Sequence, residues 1–432
     1  MAKPKVPKAK KPFSPQSVKG MHDILPQDYP YWEKIQRSFK EIAEYYNFLP
    51  ISTPVVESLD LYARTTGETS DIVEKQMFLI KGKAGGELAL RPEFTPGLAR
   101  AYVEHGLSHM GNPLKLYTQG PLYRHEQPQA GRYREFHQIE CDIISAENDP
   151  VYDAQVILVL ARILESLKIK DVMISINSIG CRECRPKYRR ELVQYYRARK
   201  SKLCADCVRR LETNPLRLLD CKEEGCVALK KGAPIMIDHL CKACHDHFKL
   251  TLEYLDELKL GYVLDHYLVR GLDYYTNTVF EMVPASGGGS LGGGGRYDYL
   301  IEDLGGKKTP AVGWAAGVER IVEYMRAQGI QLSARVKPKP FFIYIGDLAK
   351  KRSLTLIEEL RRADVDVMES LGRESLNAQL RNADKFQSPI ALIFGQKEAF
   401  EESIIIRDLK AGVQETVPLH RMIDAVKKKL RE

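Results

Sequence analysis

No apolar run in this 432-residue chain approaches the roughly 20 residues that a membrane-spanning helix needs, so no membrane partner is expected. The opening stretch, Met1-Ala-Lys-Pro-Lys-Val-Pro-Lys-Ala-Lys-Lys-Pro12, lacks the apolar core of a secretory signal. It reads instead as a disordered basic tail over residues 1–17, and a cytoplasmic location is the expectation. Internal repeats are absent. The glycine-rich run at 287–295 reads as turn; it is followed by no Lys-Ser or Lys-Thr, and no GxGxxG opens a helix, which excludes a phosphate loop. Outside one block, cysteine is nearly absent: of nine, only Cys141 lies beyond Cys181–Cys244. In a reducing compartment that clustering favours metal ligation or free thiols over disulfides. Neither sign of charge is scarce. The net +8 arises from 65 bases mixed with 57 acids, which permits nucleic-acid binding without demanding it.

A composition that is 44% hydrophobic and 28% charged suits a globular protein, and 432 residues imply two or three domains. Trp32, Ile35, Phe39, Ile42 and Tyr46 fall at helical spacing, followed by a short strand at 48–53. Strand-like runs at 77–80, 87–90, 114–119 and 135–144 are joined by Gly and Pro, with one short helix near 97–104. Few long crossover helices separate them, so the sheet is expected to be antiparallel. Residues 171–260, cysteine-rich, charged and helix-prone, look like an insertion. Strands resume at 262–269 and 278–283, and a helix at 316–328 closes this part. Lys337-Pro-Lys-Pro340 marks a linker at 331–340. Beyond it, strands and helices alternate over 341–432, which predicts a separate small α/β domain with a mostly parallel core. The fold class is therefore α+β, with a C-terminal α/β domain.

The densest chemistry lies in Leu268-Val-Arg-Gly-Leu-Asp-Tyr-Tyr275, where Arg270 offers a planar donor fork for phosphate or carboxylate. Tyr274 and Tyr275 beside it offer flat faces and hydroxyls. In Phe136-His-Gln-Ile-Glu-Cys-Asp-Ile143, strand period two puts Gln138, Glu140 and Asp142 on one face. That face is either the solvent side of a half-buried sheet or the floor of a polar pocket for an amine or an imidazole. Upstream, Tyr123-Arg-His-Glu126 and Arg132-Tyr-Arg134 read as a hairpin that sets Arg124 and Arg132 on facing strands, able to donate to phosphate. Arg91-Pro-Glu93 with Thr95 adds a buried-looking acid at a strand-to-helix turn. Arg320 falls in the first turns of a helix, where anions bind well.

In order along the chain, these segments resemble the motifs of class II aminoacyl-tRNA synthetases in the version found in the histidyl-tRNA synthetase family. Residues 41–62 resemble motif 1, 120–144 motif 2 and 310–322 motif 3. Residues 268–281 and 290–299 resemble the two segments peculiar to the histidine enzymes. The likeness covers 17–330, and the tail domain resembles the family's anticodon-binding domain. The resemblance implies a class II antiparallel catalytic core at 18–330, ATP with Mg²⁺, L-histidine and histidine tRNA as partners, and a homodimer formed through motif 1.

The resemblance also implies residue roles. Glu93, Thr95, Gln138 and Asp142 would hold the histidine amino group and imidazole, while Tyr274, Tyr275 and Tyr297 close over the ring. Arg124 would grip the ATP α-phosphate, with Arg270 facing it. Glu126 and Arg132 would lie by the adenine and distal phosphates, Phe136 would stack on adenine, and Arg320 would reach the γ-phosphate. Some bacterial members carry glutamate where this chain has Asp142, and the motif 2 loop, with Gln127 and Gln129, often has an arginine at position 127. The synthetase-like regulatory subunit of ATP phosphoribosyltransferase is the alternative, but such paralogues lack the tail domain and the intact 268–275 segment.

The cysteine block stands apart from that resemblance. Cys181-x-x-Cys184, Cys204-x-x-Cys207 and Cys241-x-x-Cys244 have zinc-knuckle spacing, and Cys221 and Cys226 make a looser fourth pair. Eight thiols suffice for two structural zinc sites or can pack as small apolar side chains, and the spacing leaves the pairing of pairs open.

Overall fold

Strand and helix periods are written into successive segments, and the computed structural model of the chain follows most of them. It describes residues 15–67, 72–81, 86–127, 131–287, 289–332, 339–372 and 375–431. Residues 1–14 of the expected tail, 333–338 of the expected linker, and Gln129 lie outside the described residues. Two compact units emerge, Met1–Leu332 and Ser333–Glu432.

The strands of the first unit are β1 (Leu49–Pro50), β2 (Val56–Ser58), β3 (Leu79–Lys81), β4 (Glu87–Leu90), β5 (Leu114–Tyr123), β6 (Glu135–Ile144), β7 (Val172–Ser178), β8 (Tyr262–Leu264), β9 (Thr276–Pro284), β10 (Gly292–Arg296) and β11 (Ala311–Gly317). Its helices are α1 (Tyr29–Tyr45), α2 (Leu59–Thr66), α3 (Thr95–Glu104), α4 (Val151–Ser166), α5 (Arg185–Arg197), α6 (Ala205–Thr213), α7 (Glu224–Lys230), α8 (Lys242–Glu257), α9 (Leu300–Asp303) and α10 (Val318–Ala327). Eight strands form the main sheet in the order β1-β5-β6-β11-β10-β9-β7-β8. From β5 to β7 every pairing is antiparallel, and only the outermost strands, β1 and β8, pair parallel.

One face of this sheet is covered by helices, and the alternation along β6 shows why. Ile139, Cys141 and Ile143 enter a core shared with Trp32, Ile35 and Phe39 of α1 and with Ile321 and Met325 of α10. Helix α4, apolar around much of its circumference, lies between the sheet and α1 and α8, which is where such a helix must go. On the other face, Glu140 and Asp142 stand opposite Thr118 and Leu116 of β5.

Two expectations change. Residues 172–178, inside the block read as an insertion, are β7 of the main sheet, where Ile174 and Ile176 are buried. The helical, cysteine-rich part follows it, and α5 to α7 build a small core around Tyr188, Leu192, Tyr196, Leu211 and Leu218. The glycine-rich run, which reads as turn, contains β10: four glycines and Arg296, all buried between β9 and β11. The register forces the composition. A Cβ on Gly294 would stand 1.9 Å from the Gly313 carbonyl oxygen, and one on Gly293 2.4 Å from that of Phe280.

In the second unit, β12 (Phe341–Tyr344), β13 (Met368–Glu369), β14 (Ile390–Phe394), β15 (Ser403–Asp408) and β16 (Gln414–Pro418) form a sheet in the order β13-β12-β14-β15-β16. Around it lie α11 (Asp347–Arg362), α12 (Leu376–Lys385), α13 (Gln396–Phe400) and α14 (Met422–Lys429). The expectation of a mostly parallel core is half met: β13, β12 and β14 run parallel, while β15 and β16 turn back as antiparallel neighbours. The short link between β15 and β16 is too brief for a parallel crossover, whereas β14 and β15 are joined through α13.

Candidate active site

The polar face of β6 is buried, not the solvated side of a half-buried sheet. Glu140 and Asp142 are fully buried, and Gln138, nearer the strand start, is half-buried. Glu93 and Thr95 reach the same place from the turn between β4 and α3. The Thr95 hydroxyl donates to Glu140 at 3.2 Å. Glu93 accepts from Thr66 at 2.9 Å and from the Tyr274 hydroxyl at 2.6 Å. Tyr297 donates to one oxygen of Asp142, and the other oxygen is buried without a protein partner. With Glu140 and Asp142 both ionised that oxygen has no donor, while a proton on either lets the two acids hydrogen-bond to each other.

Three carboxyls in one water-poor space repel one another. Burial raises the Glu93 carboxyl above its usual range despite the Tyr274 hydrogen bond. Burial, then the charge of Asp142, pushes Glu140 well up. Burial lifts Asp142 to about 7, against the Tyr297 hydrogen bond that favours its ionised form. A cationic or multiply donating ligand is what such a floor lacks.

Tyrosines close the pocket. Tyr274 and Tyr275 pack at 4.7 Å between centroids, and Tyr297 meets Tyr274 edge-on at 5.8 Å. Gly313 stands opposite Asp142 on β11, where a Cβ would lie 2.0 Å from the Asp142 Oδ1, so the glycine is a condition for the acid's position.

Arginines form the rim. Arg124 donates to the Pro92 carbonyl at 3.0 Å and lies over the Phe136 ring at 5.2 Å. Its charge acts on Glu93. Arg270 is paired with Glu281 of β9, donates to the Gly293 carbonyl at 3.2 Å, and keeps Nε buried and unpartnered. Tyr275 feels both Arg270 and Glu93, which ties the phosphate-competent rim to the carboxylate floor. Arg320, on α10, donates to the Gly131 and Ser290 carbonyls at 3.2 and 2.9 Å. Burial, then the nearby charge of Arg132, lowers its pKa against the opposing pull of Glu281, Glu126 and Glu323. Arg132 is itself exposed and 3.6 Å from Glu126.

Four groups escaped the sequence reading. Glu140 shares the strand face of Gln138 and Asp142, yet nothing local in the sequence assigns it a role. Glu281, the only acid in the apolar run of β9, carried a signal in its setting. Asn214 donates to Asp273 at 2.6 Å, and Arg217 to the Arg270 carbonyl at 3.4 Å, both from the cysteine-rich block and without a local signal. Arg296, beside Tyr297, is a structural residue: it is buried with Asp153 at 2.7 Å and Asp298 at 3.0 Å.

An antiparallel sheet with an acid-floored pocket for an amine and arginines rimming a place for phosphate defines the class II aminoacyl-tRNA synthetase core. A profile of the family described as Histidyl-tRNA synthetase matches residues 20–321, and one described as Anticodon binding domain matches 341–429. The chain is 42% identical over 417 residues to the histidine–tRNA ligase of Dehalococcoides mccartyi, spanning 96% of this chain and 100% of that protein. With that of Syntrophotalea carbinolica it shares 41% over 421 residues, spanning 97% and 100%. The crystal structure of apo S. aureus histidyl-tRNA synthetase superposes with a TM-score of 0.79 at 30% identity, covering 95% of this chain and 99% of that one. The chain belongs to the histidyl-tRNA synthetase family. It is an aminoacyl-tRNA ligase that activates L-histidine with ATP, releases pyrophosphate and transfers histidine to the 3′-hydroxyl of the terminal adenosine of its tRNA. The regulatory-subunit alternative is not favoured, since the tail domain and an intact 268–275 segment are both present.

Proposed function

We propose that the ligase activity is divided among these residues as follows. Glu93, Asp142 and Thr95 receive the amino group and imidazole of histidine, with Gln138 at the strand end contributing its amide. Tyr274, Tyr275 and Tyr297 cover the ring. Arg124 and Arg270 donate to the α-phosphate from two sides, and Phe136, under Arg124, stacks on adenine. Glu126 and Arg132 lie towards the adenine and distal phosphates, and Arg320 donates to the γ-phosphate. The observation that carries this reading is the unpartnered Asp142 oxygen among three buried carboxyls, beneath tyrosines and beside two anchored arginines.

No side chain needs to act as nucleophile. The histidine carboxylate oxygen forms a bond to the α-phosphorus while the bond to the bridging oxygen of pyrophosphate breaks, so positioning and charge neutralisation supply the rate. Guanidiniums already anchored on Glu281, Gly293 and Pro92 stabilise the equatorial oxygens without having to reorganise. The terminal adenosine hydroxyl of the tRNA then attacks the histidyl carbonyl, and AMP leaves. Mg²⁺ in such sites uses one or two carboxylates plus substrate phosphates. Glu126, which is partly buried and acts on Arg320 while Glu281 is occupied by Arg270, is the carboxylate that would help hold the ion, and the ion would neutralise the leaving pyrophosphate.

The chain would work in the cytoplasm as a homodimer. Tyr45, Leu49, Val55 and Val56 expose apolar surface in the motif 1 segment, beside the open edge of the sheet at β1, which supports a self-association face there. The test of the reading as a whole is exchange of labelled pyrophosphate into ATP. It should depend on histidine, and comparable exchange with any other amino acid would overturn the pocket assignment.

A further inference from the structure

Eight cysteines outside the catalytic pocket converge in two groups of four, an arrangement that the reaction does not use. Cys181, Cys184, Cys241 and Cys244 form one group and Cys204, Cys207, Cys221 and Cys226 the other; within each, all sulfurs lie within 4.8 Å of one another. A zinc–sulfur bond of about 2.3 Å sets the edge of a ZnS₄ tetrahedron near 3.8 Å. Cys181 and Cys184 sulfurs are 3.6 Å apart, and Cys204 and Cys221 sulfurs 3.8 Å. Those separations match the edge and are far beyond the roughly 2.05 Å of a disulfide. Apolar packing of thiols would not sort eight cysteines into two closed sets of four.

Backbone amides donate to sulfurs in both groups, as they do to metal-bound thiolates. Backbone amides of Glu183 and Cys241 donate to Cys181 and Cys184 at 3.4 and 3.0 Å. Those of Cys207 and Cys204 donate to Cys204 and Cys226 at 3.4 Å each. Cys184, Cys204 and Cys241 each occupy the N-cap position of a helix, where the backbone is positive, and the Cys204 sulfur accepts the capping hydrogen bond.

Each group also sits one step from the catalytic loop. Arg185, next to Cys184, donates to the Tyr275 carbonyl and, at 3.2 Å, to that of Ile179. Asn214 and Arg217, on the segment between Cys207 and Cys221, hold Asp273 and the Arg270 carbonyl at 2.6 and 3.4 Å. We propose that the chain binds two structural Zn²⁺ ions, one in each four-cysteine group, and that they fix Arg185, Asn214 and Arg217 as positioning residues for the 270–275 loop. Four thiolates close each site, so no position remains open for substrate. The metal half of the proposal stands independently of the residue roles proposed for the reaction, and the positioning half rests on them.

Elemental analysis of the full chain, purified without chelator under reducing conditions, should find about two zinc per chain. Cys244→Ala and Cys226→Ala should each lose one equivalent, and cobalt(II) substitution should give the absorption of a tetrahedral thiolate site. Less than about half an equivalent, with all eight thiols freely titratable, overturns both sites; about one equivalent in the unaltered chain overturns the two-site assignment. Asn214→Ala and Arg217→Ala, with zinc content retained, should lower the turnover of pyrophosphate exchange about tenfold while changing the histidine KM less. Unchanged turnover in both overturns the positioning role and leaves the metal assignment standing on the zinc content.

Discussion

Replacing Arg270 by alanine puts the division of labour at greatest risk. The guanidinium is fixed on one side by Glu281 and on the other by the Gly293 carbonyl at 3.2 Å, and its Nε is buried without a partner. The terminal nitrogens therefore hold the fork on two protein acceptors, and on the proposed assignment the unpartnered Nε is the donor left for the α-phosphate. Losing one such pre-organised donor costs about 3–4 kcal/mol of transition-state stabilisation, or roughly 10²–10³ in rate. A separate effect has to be removed. Alanine also leaves Glu281, whose side chain is only 26% exposed, without its cation, and that destabilises the fold by about 1–3 kcal/mol. Arg270→Ala/Glu281→Gln removes the stray charge. Single-turnover formation of histidyl-adenylate should fall about 10²–10³-fold in both variants, while thermal stability recovers in the double variant alone. A rate within about threefold of the unaltered chain, or one restored by Glu281→Gln, would refute the donor role.

Three further outcomes are expected. Asp142, with its carboxyl lifted to about 7 by burial, binds a proton in the folded state that the unfolded chain releases near the ordinary aspartate value, so its contribution to stability is full at low pH and is lost as pH rises towards 7. Asp142→Asn should therefore gain stability relative to the unaltered chain between pH 5 and pH 8 in thermal unfolding without ligand, and a constant gap would count against the buried-acid account. Gly313→Ala, whose Cβ would sit 2.0 Å from Asp142 Oδ1, should raise the histidine KM about tenfold or more and leave the ATP KM nearly unchanged; equal histidine KM values would show that the acid is free to move. Truncation after Leu332 ends the chain at the boundary between the two units, so adenylate formation should survive while charging of histidine tRNA falls sharply; undiminished charging would remove the tail domain from tRNA recognition.

Much of this site was legible because strand alternation is a local code. Residues 135–144 were read with their true bounds, and period two alone put Gln138, Glu140 and Asp142 on one face. Which face held water was not local. That depended on α1, α4 and α10 burying Ile139, Cys141 and Ile143, and hence on pairings far apart in sequence. The glycines of β10 were misread for a related reason. Glycine ordinarily signals a turn, but here it answers to neighbours across the sheet, the carbonyls of Phe280 and Gly313, that a linear reading does not reveal. The cysteine pairing was hidden in the same way: four two-residue sets can be joined in several manners, and only the packing of α5 to α8 brings Cys181 and Cys184 to Cys241 and Cys244.

On the proposed assignment of residues, these non-local constraints would also account for how the pocket selects its amino acid. A floor of Glu93, Glu140 and Asp142 is unfavourable when empty: burial raises all three carboxyls, and one Asp142 oxygen has no partner. Tyr274 and Tyr297 each satisfy one oxygen from above, which fixes the carboxylates in place without cancelling their charge. An amino acid whose side chain carries N–H donors at the right height completes the set. One with an apolar side chain of similar size leaves the floor as unsatisfied as it was and adds its own desolvation. A site built around buried polar groups rejects a ligand that cannot pair them by roughly 10⁴–10⁵, far beyond what an apolar pocket achieves by shape. On that assignment the discrimination comes from the acids left unpaired in the wrong complex, because the cost of holding three acids together in the empty enzyme is common to every ligand.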